Sequence, residues 1–128
     1  MSRVTPNTSQ GTGVGARASK EPRTVESQLS AFPTTIHRIE ADGMRVFYRC
    51  AGDTSAPVVL LLHGFPASSF MFRELIPRLA DRYRVIAPDL PGFGFTEVPV
   101  DQKYVYSFDG LARTIQAFIQ ALKINRFE

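Results

Sequence analysis

Apolar and polar positions follow no regular pattern over the first thirty residues, then become ordered from Thr34 onward. Thr35-Ile36-His37-Arg38-Ile39-Glu40 and Arg45-Val46-Phe47-Tyr48-Arg49-Cys50 are two strand-like runs joined by Ala41-Asp42-Gly43, which predicts a β-hairpin. Five consecutive apolar residues, Val58-Val59-Leu60-Leu61-Leu62, then run into His63-Gly64-Phe65-Pro66. A short apolar run closed by turn residues predicts a strand, Val58–His63, buried on both faces as in a parallel sheet. Ser68 or Ser69 can cap the next helix, where Phe72, Leu75, Ile76, Leu79 and Tyr83 recur at helical spacing. Pro77 lies within that stretch and should kink or split it near Arg73–Ile76.

Arg84-Val85-Ile86-Ala87-Pro88 reads as a second parallel strand, and Asp89 to Thr96, with Pro91, Gly92 and Gly94, as a tight loop at its carboxyl end. Glu97 to Tyr104 is polar and expected to be exposed. Ser107 can cap a last helix, where Leu111, Ile115, Phe118, Ile119 and Leu122 form an apolar stripe. Strand, helix, strand, helix after a hairpin predicts an α/β fold, with parallel strands joined by right-handed crossovers and led in by antiparallel pairing. Ligand sites in such sheets lie at the carboxyl ends of the strands, where both glycine-containing loops fall.

Composition separates a tail from a domain. Residues 1–31 are rich in Ser, Thr, Gly and Pro and cannot bury enough surface to offset their ordering entropy, so they are expected to be disordered. Residues 32–128 form the domain. Gly11-Thr12-Gly13-Val14-Gly15-Ala16 spells a dinucleotide pattern, yet no strand precedes it and no helix follows, so no cofactor is expected there. The formal net charge of +3 divides into four basic against two acidic residues in 1–31 and eleven against ten in the remainder. That near-neutral balance predicts no nucleic-acid partner. No apolar run reaches the length of a membrane span, so no membrane partner is expected either. Cys50 stands alone, cannot close an internal disulfide, and fits a reducing, cytoplasmic location as a small packed residue. His37 has no neighbours at metal-ligand spacing and reads as a surface histidine; no metal is expected.

Leu62-His63-Gly64-Phe65-Pro66, Ser68-Ser69 and Pro88-Asp89-Leu90-Pro91-Gly92-Phe93-Gly94, set about 25 residues apart with a helix between them, resemble the α/β-hydrolase superfamily. The resemblance covers residues 34–128 and concerns the N-terminal half of that fold. It implies that the loop after the first parallel strand supplies one backbone N–H of an oxyanion hole, by position that of Phe65, with His63, Gly64 and Pro66 around it. His63 would be structural, because the family's catalytic histidine lies far toward the C-terminus. The Phe65–Pro66 bond is often cis in relatives with this loop. Asp89, with Gly92 and Gly94, would hold its own loop. No cofactor is implied.

Neither Gly-x-Ser-x-Gly nor Gly-x-Asp-x-Gly occurs in the chain, and no histidine follows the second motif. Ser55, Ser68, Ser69 and Ser107 are the serines of the domain, and none lies between glycines. The expectation is therefore a partial hydrolase domain that ends before the nucleophile strand, inactive by itself, its parent acting on a small-molecule epoxide, haloacid or ester. His-Gly-Phe-Pro resembles the epoxide hydrolase and dehalogenase branch, although haloalkane dehalogenases usually carry Asn at the position of Phe65. The alternative is a non-catalytic α/β protein that pairs with a partner, or with itself, through an exposed edge of Val58–His63.

Overall fold

The structure, a computed structural model, describes residues 31–128. Nearly all of the predicted tail, and with it Gly11–Ala16, lies outside the described residues. Thr35–Ala41 (β1) and Met44–Ala51 (β2) form the hairpin, in register from Thr35 opposite Cys50 to Ala41 opposite Met44. Its turn residues Asp42 and Gly43 have φ of 53° and 71°. Two successive left-handed residues match the twist of the flanking strands, and Asp and Gly tolerate that conformation best.

Val58–Leu60 (β3) and Arg84–Pro88 (β4) complete a four-stranded sheet of order β1-β2-β4-β3. β4 pairs antiparallel with β2 and parallel with β3. A turn of 3-10 helix at Ser69–Phe72 and a short helix at Leu75–Leu79 (α1) follow β3; Phe108–Ala121 (α2) follows the loop after β4. The helical stretch that contains Pro77 is indeed divided, at Arg73 and Glu74. Pro77 then falls in the first turn of α1, where a missing N–H costs no intrahelical bond.

Alternation along the strands builds a core on each side of the sheet. Ala41, Val46, Tyr48 and Ile86 pack with Phe118 of α2. Ala51, Val85 and Ala87 pack on the other face with Ile76 and Ala80 of the α1 turn.

Three expectations change in detail. The central apolar run pairs as a strand only over Val58–Leu60 and is half-buried there; β4 is the buried strand, because it alone has parallel and antiparallel neighbours and both cores against it. The outer edge of β3 is not free: Glu128 N–H donates to Val58 O and Leu60 N–H donates to Glu128 O, both at 2.9 Å. On α2 the buried line is Gly110, Thr114 and Phe118, while Leu111, Ile115 and Ile119 are half-buried. Thr114 can be buried because its hydroxyl is satisfied, donating to Asp42 Oδ2 at 2.8 Å and pairing with the Tyr104 hydroxyl at 2.9 Å. The stretch from Glu97 is tethered as well, since Arg45 and Glu97 exchange two backbone hydrogen bonds and Gln102 Nε2 donates to Asp42 O.

Candidate functional site

The carboxyl ends of β3 and β4 bring together the two loops singled out in the sequence. His63 ends the apolar run and is 4% exposed. Its Nε2 accepts the Leu90 N–H at 2.9 Å, so the ring proton sits on Nδ1, 2.9 Å from Gly64 O. Six residues later the Ser69 N–H donates to Asp89 Oδ1 at 2.7 Å. Gly64–Ser68 is therefore suspended between two anchors that end on consecutive residues, Asp89 and Leu90, at the end of β4.

Asp89 is 1% exposed and is engaged at every polar group. Oδ2 accepts the Phe95 N–H at 2.9 Å, the backbone N–H donates to Phe47 O at 2.8 Å, and the carbonyl accepts the Thr96 hydroxyl at 2.6 Å. The Thr96 oxygen in turn accepts the Phe47 N–H at 3.0 Å. The loop from Asp89 to Thr96 thus leaves β2 and returns to it at one residue, Phe47. Gly94 closes it with φ of 53°, and a Cβ there would sit 1.9 Å from Asp89 Oδ2, so only glycine leaves room for the carboxylate. Gly92, with φ of 85°, lies under the Tyr106 ring.

Between the anchors the loop is open. Phe65 is 86% exposed, its ring edge-on to Phe93 at 5.9 Å, and Phe93 is edge-on to His63 at 5.4 Å. The Phe65–Pro66 peptide is cis. A Cβ on Gly64 would meet nothing within 4 Å. Among the described residues no hydrogen bond uses the Phe65 N–H.

The remaining candidates are placed elsewhere. Ser68 accepts the Phe70 N–H, Ser107 accepts the Gly110 N–H, and Ser55 is bonded through its hydroxyl and amide to Asp53, which holds the Asp53 carboxyl below its ordinary range. His37 is exposed, bonded to the Thr35 hydroxyl and stacked on Tyr48. Among the described residues no three His, Cys, Asp or Glu side chains converge as a metal site, and no helix is long and apolar enough to cross a membrane. A groove of about 730 Å³ opens between β3 and α2, lined in part by Leu62, His63, Leu90, Leu111, Ile115 and Phe127; neither Phe65 nor Phe93 borders it. Thr96 and the Ser69 amide are the members of the site that sequence reasoning missed. The hydroxyl of Thr96, directly after the glycine loop, was the available signal, since it can tie that loop to β2.

The profile of the alpha/beta hydrolase fold matches residues 57–127. The chain belongs to this family. It is 53% identical over 100 residues to an uncharacterized hydrolase of Saccharomyces cerevisiae, covering 77% of the chain and 34% of that relative. It is 36% identical over 89 residues to epoxide hydrolase 4 of Homo sapiens, covering 70% and 24% respectively. The crystal structure of a loop variant of a Bradyrhizobium elkanii haloalkane dehalogenase superposes with a TM-score of 0.66 at 37% identity, over 72% of this chain and 29% of that one. The chain spans about a third or less of the length of these hydrolases.

Proposed function

We propose that Gly64–Ser68 is the oxyanion-binding loop of a hydrolase site and that the Phe65 N–H is one of its donors. The observation that carries this is the suspended loop: both ends are fixed by buried side chains, while the amides between them, that of Phe65 at the exposed bend included, have no partner among the described residues. A backbone donor held this way requires no reorganisation when negative charge develops on a substrate oxygen, and one such donor is worth about 3 kcal/mol, or two orders of magnitude in rate. His63 and Asp89 act through the loop as positioning residues. Gly64 leaves the approach open, and the Phe65 and Phe93 rings wall it with apolar surface.

The substrate class we assign is a small epoxide, haloacid or ester, in keeping with relatives named as epoxide hydrolase and haloalkane dehalogenase. An attacking Ser would place the oxyanion on the substrate carbonyl; an attacking Asp would place it on the ester formed with the substrate. Residues 31–128 supply neither nucleophile nor base in this reading, because three of the four serines serve as caps or turns, Ser69 is fully buried, and His63 and His37 are occupied with Leu90 and Thr35. A single half-buried thiol, Cys50, supports a cytoplasmic setting.

Two measurements test the proposal. Titrating ¹⁵N-labelled chain with methylphosphonate, a mimic of the oxyanion, should move the Phe65 amide resonance downfield and leave the amides of β1 in place. An unmoved Phe65 amide removes the loop from consideration. Repeated turnover of p-nitrophenyl acetate or styrene oxide by the purified 128-residue chain would show that it holds a nucleophile after all.

A further inference from the structure

On the sheet face that carries α1, the helix packs over Ala51, Val85 and Ala87. Toward β1 the same face presents Arg38, Phe47 and Arg49: Arg38 lies opposite Phe47 in the hairpin register and Arg49 two residues further along β2. The guanidinium carbons of Arg38 and Arg49 each sit 5.3 Å from the centre of the Phe47 ring. Arg49 is also 5.4 Å from the Phe70 ring, and Arg73 is 4.7 Å from that ring. Three cations therefore alternate with two aromatic rings, the buried Phe47 and the exposed Phe70, although their positions in the sequence are far apart.

Stacking accounts for a guanidinium over a ring. It does not account for three cations assembled with so little counter-charge. Glu97 lies 4.0 Å from Arg38 and Glu74 lies 3.9 Å from Arg73, both exposed pairs that solvent and salt weaken. The Arg49 side chain has no ion pair or hydrogen bond among the described residues, and its Nε is buried without an acceptor. Large apolar side chains here are more than half exposed: Phe70, under Arg49 and Arg73, at 54%, and Phe95, packed on Phe47, at 60%; Met71, which follows Phe70 in the chain, is 54% exposed.

An acidic protein segment would satisfy the charge and leave those apolar side chains in water. A partner that is anionic at its surface and apolar just beneath it satisfies both. We propose that this face docks on the surface of an anionic bilayer, with Arg38, Arg49 and Arg73 among the phosphates and Phe70, Met71 and Phe95 at the boundary with the acyl chains. The contact is peripheral and requires no spanning helix. It stands apart from the oxyanion loop, although Phe70 follows directly on Ser69, so docking would hold that loop beside the lipid.

Co-sedimentation of the full chain with phosphatidylcholine vesicles, with and without phosphatidylglycerol, tests the proposal. Binding should require phosphatidylglycerol and fall steeply with salt. Arg73→Gln and Arg49→Gln should each lower the partition constant on the order of five-fold, as expected for about 1 kcal/mol per basic residue at an anionic surface. Phe70→Ser should weaken binding while leaving its salt dependence unchanged. Arg73 and Phe70 are exposed, so their variants carry the test should Arg49→Gln lower the melting temperature. Equal sedimentation with neutral vesicles, no sedimentation at all, or undiminished binding by Arg73→Gln would each overturn it. So would equal affinity for polyglutamate or inorganic phosphate in competition, which would assign the arginines to an acidic segment or a free anion.

Discussion

Replacing Asp89 by Asn keeps the volume of the side chain and Oδ1 for the Ser69 amide, but turns an NH₂ group toward the Phe95 N–H. One hydrogen bond to a charged acceptor is lost, about 1.5–3 kcal/mol, and a donor is set against a donor in a place that is 1% exposed. The expected cost is about 3 kcal/mol, a large share of the 5–15 kcal/mol that holds an ordinary domain folded. Urea unfolding followed by far-ultraviolet circular dichroism should show the midpoint falling by about 2 M, taking a slope near 1.5 kcal/mol per molar. Hydrogen exchange separates local from global effects. The Ser69 and Phe95 amides should lose more protection than the β1–β2 hairpin amides, because Asp89 is their acceptor and the hairpin ladder does not depend on it. A destabilisation below about 1 kcal/mol, or uniform loss of protection across the sheet, would mean that the carboxylate is not what holds the two loops together.

Other perturbations probe separate links. His63→Leu removes the acceptor of the Leu90 N–H and should cost about 1–2 kcal/mol in thermal or urea unfolding, with the Phe65 and Phe93 resonances broadened as the loop loses an anchor. Thr114→Val keeps the shape of the buried α2 face but leaves Asp42 Oδ2 and the Tyr104 hydroxyl without their shared partner, at a cost of about 1–2 kcal/mol by urea unfolding. Burial, followed by the neighbouring Cys50, pushes the Tyr48 phenol above its ordinary value of 10.0, with Arg84 opposing. The unfolded chain therefore releases this proton first, so stability should be complete below pH 10 and fall as pH rises toward the folded value. Tyr48→Phe should flatten that alkaline limb, and an unchanged limb would assign it to other groups.

The legible parts of the chain were those that local chemistry decides. Asp42-Gly43 marked the hairpin because a two-residue turn needs left-handed backbone at both positions. The pair Ser68-Ser69 and Ser107 marked helix starts because a hydroxyl can replace a missing backbone partner, and the structure gives the first cap to Ser68. Pro77 marked the break before α1. The α2 stripe was read in part: Phe118 is buried as expected, with Ile119 and Leu122 packed against its cluster. Hydrophobic spacing favours Leu111 and Ile115, but burial went to Thr114, whose hydroxyl finds Asp42 across 72 positions of sequence. Periodicity carries no information about such a partner.

By itself, then, the sequence determined the order and type of the elements, the α/β class, and the two loops on which a site could be built, since each follows from turn residues, apolar runs and motifs a few positions long. Tertiary structure decided which strand is central, and it gave β4 two neighbours and left β3 at the edge that Glu128 lines. It decided that Asp89 reaches Ser69 and that His63 reaches Leu90, so that Gly64–Ser68 is held at both ends. It also gathered Arg38, Arg49 and Arg73 around two phenylalanines in a chain whose charge count looked balanced. The physical reason is common to all three: hydrogen bonding and charge act over a few ångströms, and only folding brings distant residues that close.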